Sequence, residues 1–87
     1  MMVSYRIEWK KSASKELKKV DQKMMASILL AVENLKTNPF PPGVKKLIGS
    51  DVTYRIRVGV YRIVYDVYTS NLFIEIIRVR HRKDAYK

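Results

Sequence analysis

The chain has 87 residues, with 18 Lys and Arg against 8 Asp and Glu, a formal charge of +10, and 47% hydrophobic residues. It is large enough for one small core and too apolar for a disordered basic tail. Cysteine is absent and His81 is the single histidine, which excludes disulfides, thiolate nucleophiles and Cys- or His-rich metal sites. No apolar run reaches the roughly 20 residues of a membrane span, and the first residues lack the apolar core of a signal peptide. A soluble cytoplasmic protein is expected, with no membrane contact and a polyanionic partner: nucleic acid, an acidic protein, or both.

In chain order, Val3, Tyr5, Ile7 and Trp9 alternate with Ser4, Arg6, Glu8 and Lys10, the period of a half-buried strand. Ser12 is a candidate N-cap for a short helix with Ala13, Leu17 and Val20 on one face and Lys15, Lys18 and Lys19 on the wet side. Asp21 can cap a second helix, whose apolar face is Met25, Ile28, Leu29, Val32 and Leu35. Thr37-Asn38-Pro39 stops it, since proline lacks an N–H and restricts the residue before it. The Pro- and Gly-bearing stretch from Phe40 to about Ser50, with Val44-Lys45-Lys46-Leu47 inside it, reads as a basic loop.

Beyond it three runs follow, Tyr54–Val58, Tyr61–Tyr68 and Leu72–Val79, separated by turns at Gly59-Val60 and Thr69-Ser70-Asn71. They predict an antiparallel meander. The expected fold is therefore α+β in the order β-α-α-β-β-β over a single domain, 1–87. A helical hairpin packs on one face of a mostly antiparallel four-stranded sheet, and the other face is open.

On that open face, a two-residue Gly59-Val60 turn sets Arg57 opposite Arg62, with Arg55 nearby. Like charges directly opposite each other destabilise a sheet. The arrangement makes sense if an anion sits between them, because guanidinium forks grip phosphate oxygens in pairs. The last run carries Arg78, Arg80 and Arg82, with Lys83 beyond; the register of this hairpin is open, and so is the face that Arg78 occupies. Lys45, Lys46, Arg55, Arg78, Arg80 and Lys83 are candidate nucleic-acid contacts around a centre formed by Arg57, Arg62 and Arg82. His81 and Tyr86 are the candidate proton-transfer groups. Imidazole titrates near neutrality, and a phenol serves as a base only where cations stabilise the phenolate. No Asp/Glu cluster stands near them, which disfavours a two-metal nuclease. Tyr5, Trp9, Tyr54 and Tyr61 are expected in the core.

The segment Tyr54-Arg55-Ile56-Arg57-Val58-Gly59-Val60-Tyr61-Arg62-Ile63-Val64-Tyr65 and the ending His81-Arg82-Lys83-Asp84-Ala85-Tyr86 resemble the RelE toxins of the RelE/ParE superfamily. The resemblance spans nearly the whole chain. It implies the toxin of a type II toxin–antitoxin system, held by an acidic RelB-like antitoxin. It also implies entry into the ribosome and cleavage of mRNA in the A site without metal or other cofactor, by attack of the RNA's own 2′-hydroxyl. The resemblance makes RNA the nucleic acid that Lys45, Lys46, Arg55, Arg78, Arg80 and Lys83 would contact. By position it makes Arg62 the phosphate-binding arginine, Arg82 a second catalytic arginine, and Tyr86 the ring that stacks on or orients the base. Arg55 and Arg57 stand where some RelE toxins carry two lysines active in proton transfer. Arginine, with a pKa above about 12, holds charge but moves protons poorly, so proton transfer is expected to pass to His81. The alternatives are a ParE-like toxin acting on DNA gyrase, and a catalytically weakened toxin that binds RNA.

Overall fold

A computed structural model describes residues 3–83. The elements are β1 (Arg6–Trp9), α1 (Lys11–Lys18), α2 (Gln22–Asn34), β2 (Lys45–Lys46), β3 (Thr53–Val58), β4 (Tyr61–Tyr68), a single 3-10 turn (Thr69–Asn71) and β5 (Phe73–His81). They build one sheet in the order β1-β5-β4-β3-β2. β1 runs parallel to β5, and the other pairings are antiparallel.

The sheet therefore has five strands, not four. The extra one comes from the stretch expected to be loop: Lys45 and Lys46 pair with Arg55 and Tyr54. Two residues are too few to show a period, and the flanking prolines and glycine hide the pairing. The Gly59-Val60 turn falls where expected. Gly59 has φ +59 and Val60 lies outside the positive region, as in a turn with glycine at its first loop position. A Cβ there would lie 2.5 Å from the Met24 Cε, so α2 packs hard against this turn.

Asp21 caps α2, accepting from the Lys23 N–H at 3.4 Å. Ser12 does not cap α1: the N-cap is Lys10, with no side-chain hydrogen bond. The helices bury Ala13, Val20, Ile28, Val32 and Leu35 against Ile56, Ile63, Tyr65, Val67, Ile74, Ile76 and Val79 of the sheet. Tyr5, Trp9, Tyr54 and Tyr61 pack on the margin of this core, as their alternation implied. Leu29 departs from expectation and is 44% exposed, because only the narrow stripe through Ile28, Val32 and Leu35 meets the sheet. The buried Tyr65 hydroxyl donates to the Pro39 carbonyl at 2.7 Å, tying the end of the helical hairpin to the central strand. Burial first, and the nearby Tyr54 second, push its phenol well above the ordinary tyrosine range.

No helix among the described residues is long and apolar enough to cross a membrane.

Candidate nucleic-acid interface

The face of the sheet turned away from the helices is built by strand alternation. In β3 it carries Thr53, Arg55 and Arg57, and in β4 Arg62, Val64 and Asp66. The register sets Arg57 opposite Arg62 and Arg62 opposite Arg80. Three arginines thus stand side by side across three strands. The next row is Lys45 opposite Arg55, Arg55 opposite Val64, and Val64 opposite Arg78. Two adjacent rows of cations result.

A β-bulge makes this possible. The β4–β5 register shifts between Val64 and Tyr65, so that Tyr65 faces Ile76 while Val64 faces Arg78. Ile77 is the extra residue. Were Ile77 paired as an ordinary strand residue, with no bulge, the period-two alternation from Ile76 would turn Arg78 and Arg80 toward the helices and Val79 toward solvent. This answers the open question of Arg78: it lies on the cationic face. Its Nε stands 3.7 Å from a Glu16 carboxylate oxygen, so part of its charge is already engaged.

Two concavities flank the Arg57–Arg62 pair. One, about 340 Å3, is lined by Gly43, Lys45, Arg55, Ile56, Arg57 and Arg62. The other, about 400 Å3, is lined by Arg57, Gly59, Val60, Tyr61, Arg62 and Arg82. Arg82 reaches it because its backbone N–H donates to the Val60 carbonyl at 2.7 Å, which pins the end of β5 to the β3–β4 turn. Arg57, Arg62 and Arg82 therefore converge as the sequence suggested. Arg62 is half-buried, with its Nε shielded from solvent. A cation held in a partly dry site attracts an anion more strongly than one in open water.

Not every candidate joins this face. Lys46 pairs with Tyr54 and so points to the opposite side from Lys45. Lys83 is exposed beyond β5. His81 pairs with Tyr61 on the helix side and meets that ring edge-on at 5.3 Å. It shares a concavity with Glu16, Lys19, Val20, Tyr61, Val79 and Arg80, and its Nδ1 accepts from the Lys83 N–H at 3.1 Å. It does not line the concavity of Arg57, Arg62 and Arg82, although the neighbouring Arg80 also borders its own. Tyr86 lies outside the described residues.

The opposite end of the same face is different. Asp66 stands opposite Glu75, and Glu75 opposite Glu8. Asp66 accepts from the Thr53 hydroxyl at 2.6 Å and the Tyr68 hydroxyl at 3.3 Å. The Asp66 carboxylate raises the Tyr68 phenol above its ordinary value. Tyr68 stacks on Phe73 at 5.8 Å, and Arg6 lies 5.0 Å from the centre of the Phe73 ring.

The same fold, two helices packed on a mixed sheet, is found among known proteins. Residues 7–86 match the family described as "ParE toxin of type II toxin-antitoxin system, parDE", and the chain belongs to this family of toxins. Several similar proteins carry the RelE name. A Methanocaldococcus jannaschii protein named as toxin RelE1 is 34% identical over 88 residues, 98% of either chain. Among solved structures, the archaeal RelE–RelB complex from Pyrococcus horikoshii matches with a TM-score of 0.82 and 28% identity, covering 91% of this chain and 96% of that one. The RelB–RelE antitoxin–toxin complex from Methanococcus jannaschii matches with a TM-score of 0.77 and 34% identity, covering 91% and 94%.

Proposed function

We propose that this toxin is a ribosome-dependent endoribonuclease that cuts mRNA in the A site and so inhibits translation. The observation that carries the reading is the row Arg57–Arg62–Arg80, extended by Arg82, on an open sheet face. In the proposed reaction the 2′-oxygen of a nucleotide attacks the adjacent phosphorus while the bond to the 5′-oxygen breaks. A base takes the hydroxyl proton, an acid protonates the leaving oxygen, and cations meet the extra charge on the phosphorane. Arg57, Arg62 and Arg82 supply the cations. Lys45, Arg55 and Arg80 would hold the flanking phosphates, and Tyr86 would stack on the base. Isolated arginines place charge well but move protons poorly, so alignment by the ribosome carries much of the rate.

The partner that fits is an acidic antitoxin of the RelB kind, the partner with which the Pyrococcus and Methanococcus toxins were solved. A chain of net charge +10 gains stability when an acidic partner binds its folded form.

The test is cleavage of mRNA by purified protein, with and without programmed ribosomes, for wild type and Arg62→Ala. Cleavage on the ribosome by wild type is expected, with a loss of at least a hundredfold in the variant. The variant should keep its thermal midpoint, because it also removes repulsion against Arg57 and Arg80. No cleavage by wild type would overturn the nuclease reading, and inhibition of DNA supercoiling by gyrase would then be assayed.

A further inference from the structure

We propose that His81 is a positioning residue for Arg82, acting through the hydrogen bond that its neutral imidazole accepts from the Lys83 N–H. This rests on the nuclease reading for its consequence in activity, but not for its structural content. Arg82 is the cation that follows β5 directly, and two bonds fix its backbone. On one side its own N–H donates to the Val60 carbonyl at 2.7 Å. On the other, the next residue's N–H donates to the His81 Nδ1 at 3.1 Å. Together they close a turn that aims Arg82 into the concavity shared with Arg57 and Arg62, after strand alternation has sent His81 to the other face.

The bond specifies the chemical state of the ring. To accept at Nδ1, the imidazole must be neutral and carry its proton on Nε2. Protonation at Nδ1 turns the acceptor into a donor facing a donor, and the turn loses one of its two fastenings. The ring is held by its edge-on contact with Tyr61. The charged and titratable groups around its concavity are Glu16 and Lys19 from the α1 side, Tyr61 from β4 and Arg80 from β5 itself. Glu16 is committed elsewhere, since one of its oxygens accepts from the Val79 N–H at 2.9 Å and the other faces Arg78. His81 thus helps to set the aim of an arginine that it does not touch. A general acid or base would need to reach the reacting atoms.

Asparagine separates the two roles. Its side-chain oxygen accepts from the N–H two residues on, the habit of an Asx turn, and it does not titrate. The test joins a spectroscopic arm to a kinetic one, both on the full chain. In the first, 15N spectra of the imidazole and of the Lys83 amide are followed across pH. The Nε2–H tautomer is expected at neutral pH, with a Lys83 amide protected from exchange that shifts and loses protection as the ring titrates. In the second, ribosome-dependent cleavage is measured against pH for wild type, His81→Asn and His81→Ala. The asparagine variant is expected to stay within about threefold of wild type and to lose the acid limb of the profile. The alanine variant is expected to fall about tenfold or more where wild type is fully active, as a misplaced catalytic group does, and to converge with wild type along the acid limb. A Lys83 amide indifferent to the ring's titration, or an asparagine variant as inactive as alanine, would overturn the proposal. If wild type cuts nothing, the nuclease reading falls, and the spectroscopic arm still decides whether the imidazole holds the turn.

Discussion

At the scale of single residues, the cationic row is costly to the fold. Arg62 has an arginine as cross-strand partner on each side, where each like-charge pair destabilises by a few tenths of a kcal/mol or more. A chain selected for stability alone would alternate the signs, and the proposed binding of a phosphate accounts for the departure. Tyr65 is the opposite case, a residue spent wholly on the fold. Its ring is fully buried, and its hydroxyl is bound to Pro39. Because burial raises the folded-state pKa far above the ordinary value, the folded form holds its phenolic proton more tightly than the unfolded form. The stabilisation is therefore complete below about pH 10, where an unfolded tyrosine is still protonated. It falls by about 1.4 kcal/mol per pH unit above that. Tyr65→Phe loses the hydrogen bond, about 1 kcal/mol, and loses this slope. Urea unfolding at pH 9 to 11.5 should show the wild-type and variant stabilities converging above about pH 10 and crossing before the top of the range. Parallel curves would contradict the argument.

At the scale of elements, β5 carries most of the design. Its first half is flanked by β1 and β4, but β1 ends at Trp9, which pairs with Ile76. Beyond that point the free edge needs an acceptor, and α1 provides one: the Glu16 carboxylate accepts from the Val79 N–H at 2.9 Å while facing Arg78. Glu16→Ala should cost about 1–3 kcal/mol by leaving this amide without its acceptor. Glu16→Gln keeps an acceptor oxygen and should lose less than half as much in chemical denaturation. Equal losses would mean that charge against Arg78, rather than the hydrogen bond, matters at this edge.

The same strand shows what the sequence could reveal. The meander, the Gly59-Val60 turn and the Arg57–Arg62 pairing were legible because alternation and a two-residue turn fix a register between them. The place of Arg78 and Arg80 was not legible. It depends on one extra residue, Ile77, and a bulge inside an apolar run leaves no compositional trace. β2 was hidden for a related reason. Its two residues pair only because β3 offers an edge, so the strand exists as a tertiary event and not as a local pattern. Glu16 was equally silent, since nothing in its neighbourhood announces that a strand edge 63 positions away needs an acceptor.

At the scale of the whole molecule, the open sheet face is divided by charge. Two cationic rows occupy one end, and the row Asp66–Glu75–Glu8 crosses the other. Both sets are like-charge neighbours, and interleaving them would stabilise the sheet. Their separation gives the face a direction: a polyanion is drawn to the arginine end and repelled where the acidic row begins. Under the proposed function, the acidic row, in which Glu8 is paired with Arg6 at 3.2 Å, would set how far along the sheet an RNA strand lies, and with it which phosphate meets Arg62. Glu75→Lys tests this, because Glu75 is the middle of the row. The substitution replaces two repulsive pairs with attractive ones, so stability should rise by a few tenths to about 1 kcal/mol. At the same time the cationic surface lengthens. Affinity for single-stranded RNA should increase, and the dependence of log K on log salt should steepen by about 0.7 for each added phosphate contact. Cleavage on the ribosome should spread to positions neighbouring the wild-type cut. A variant that is more stable but unchanged in salt slope and cut position would show that the acidic row does not bound the RNA. A steeper slope with scattered cuts would show that the chain gives up stability at both ends of the sheet to hold one phosphate in register.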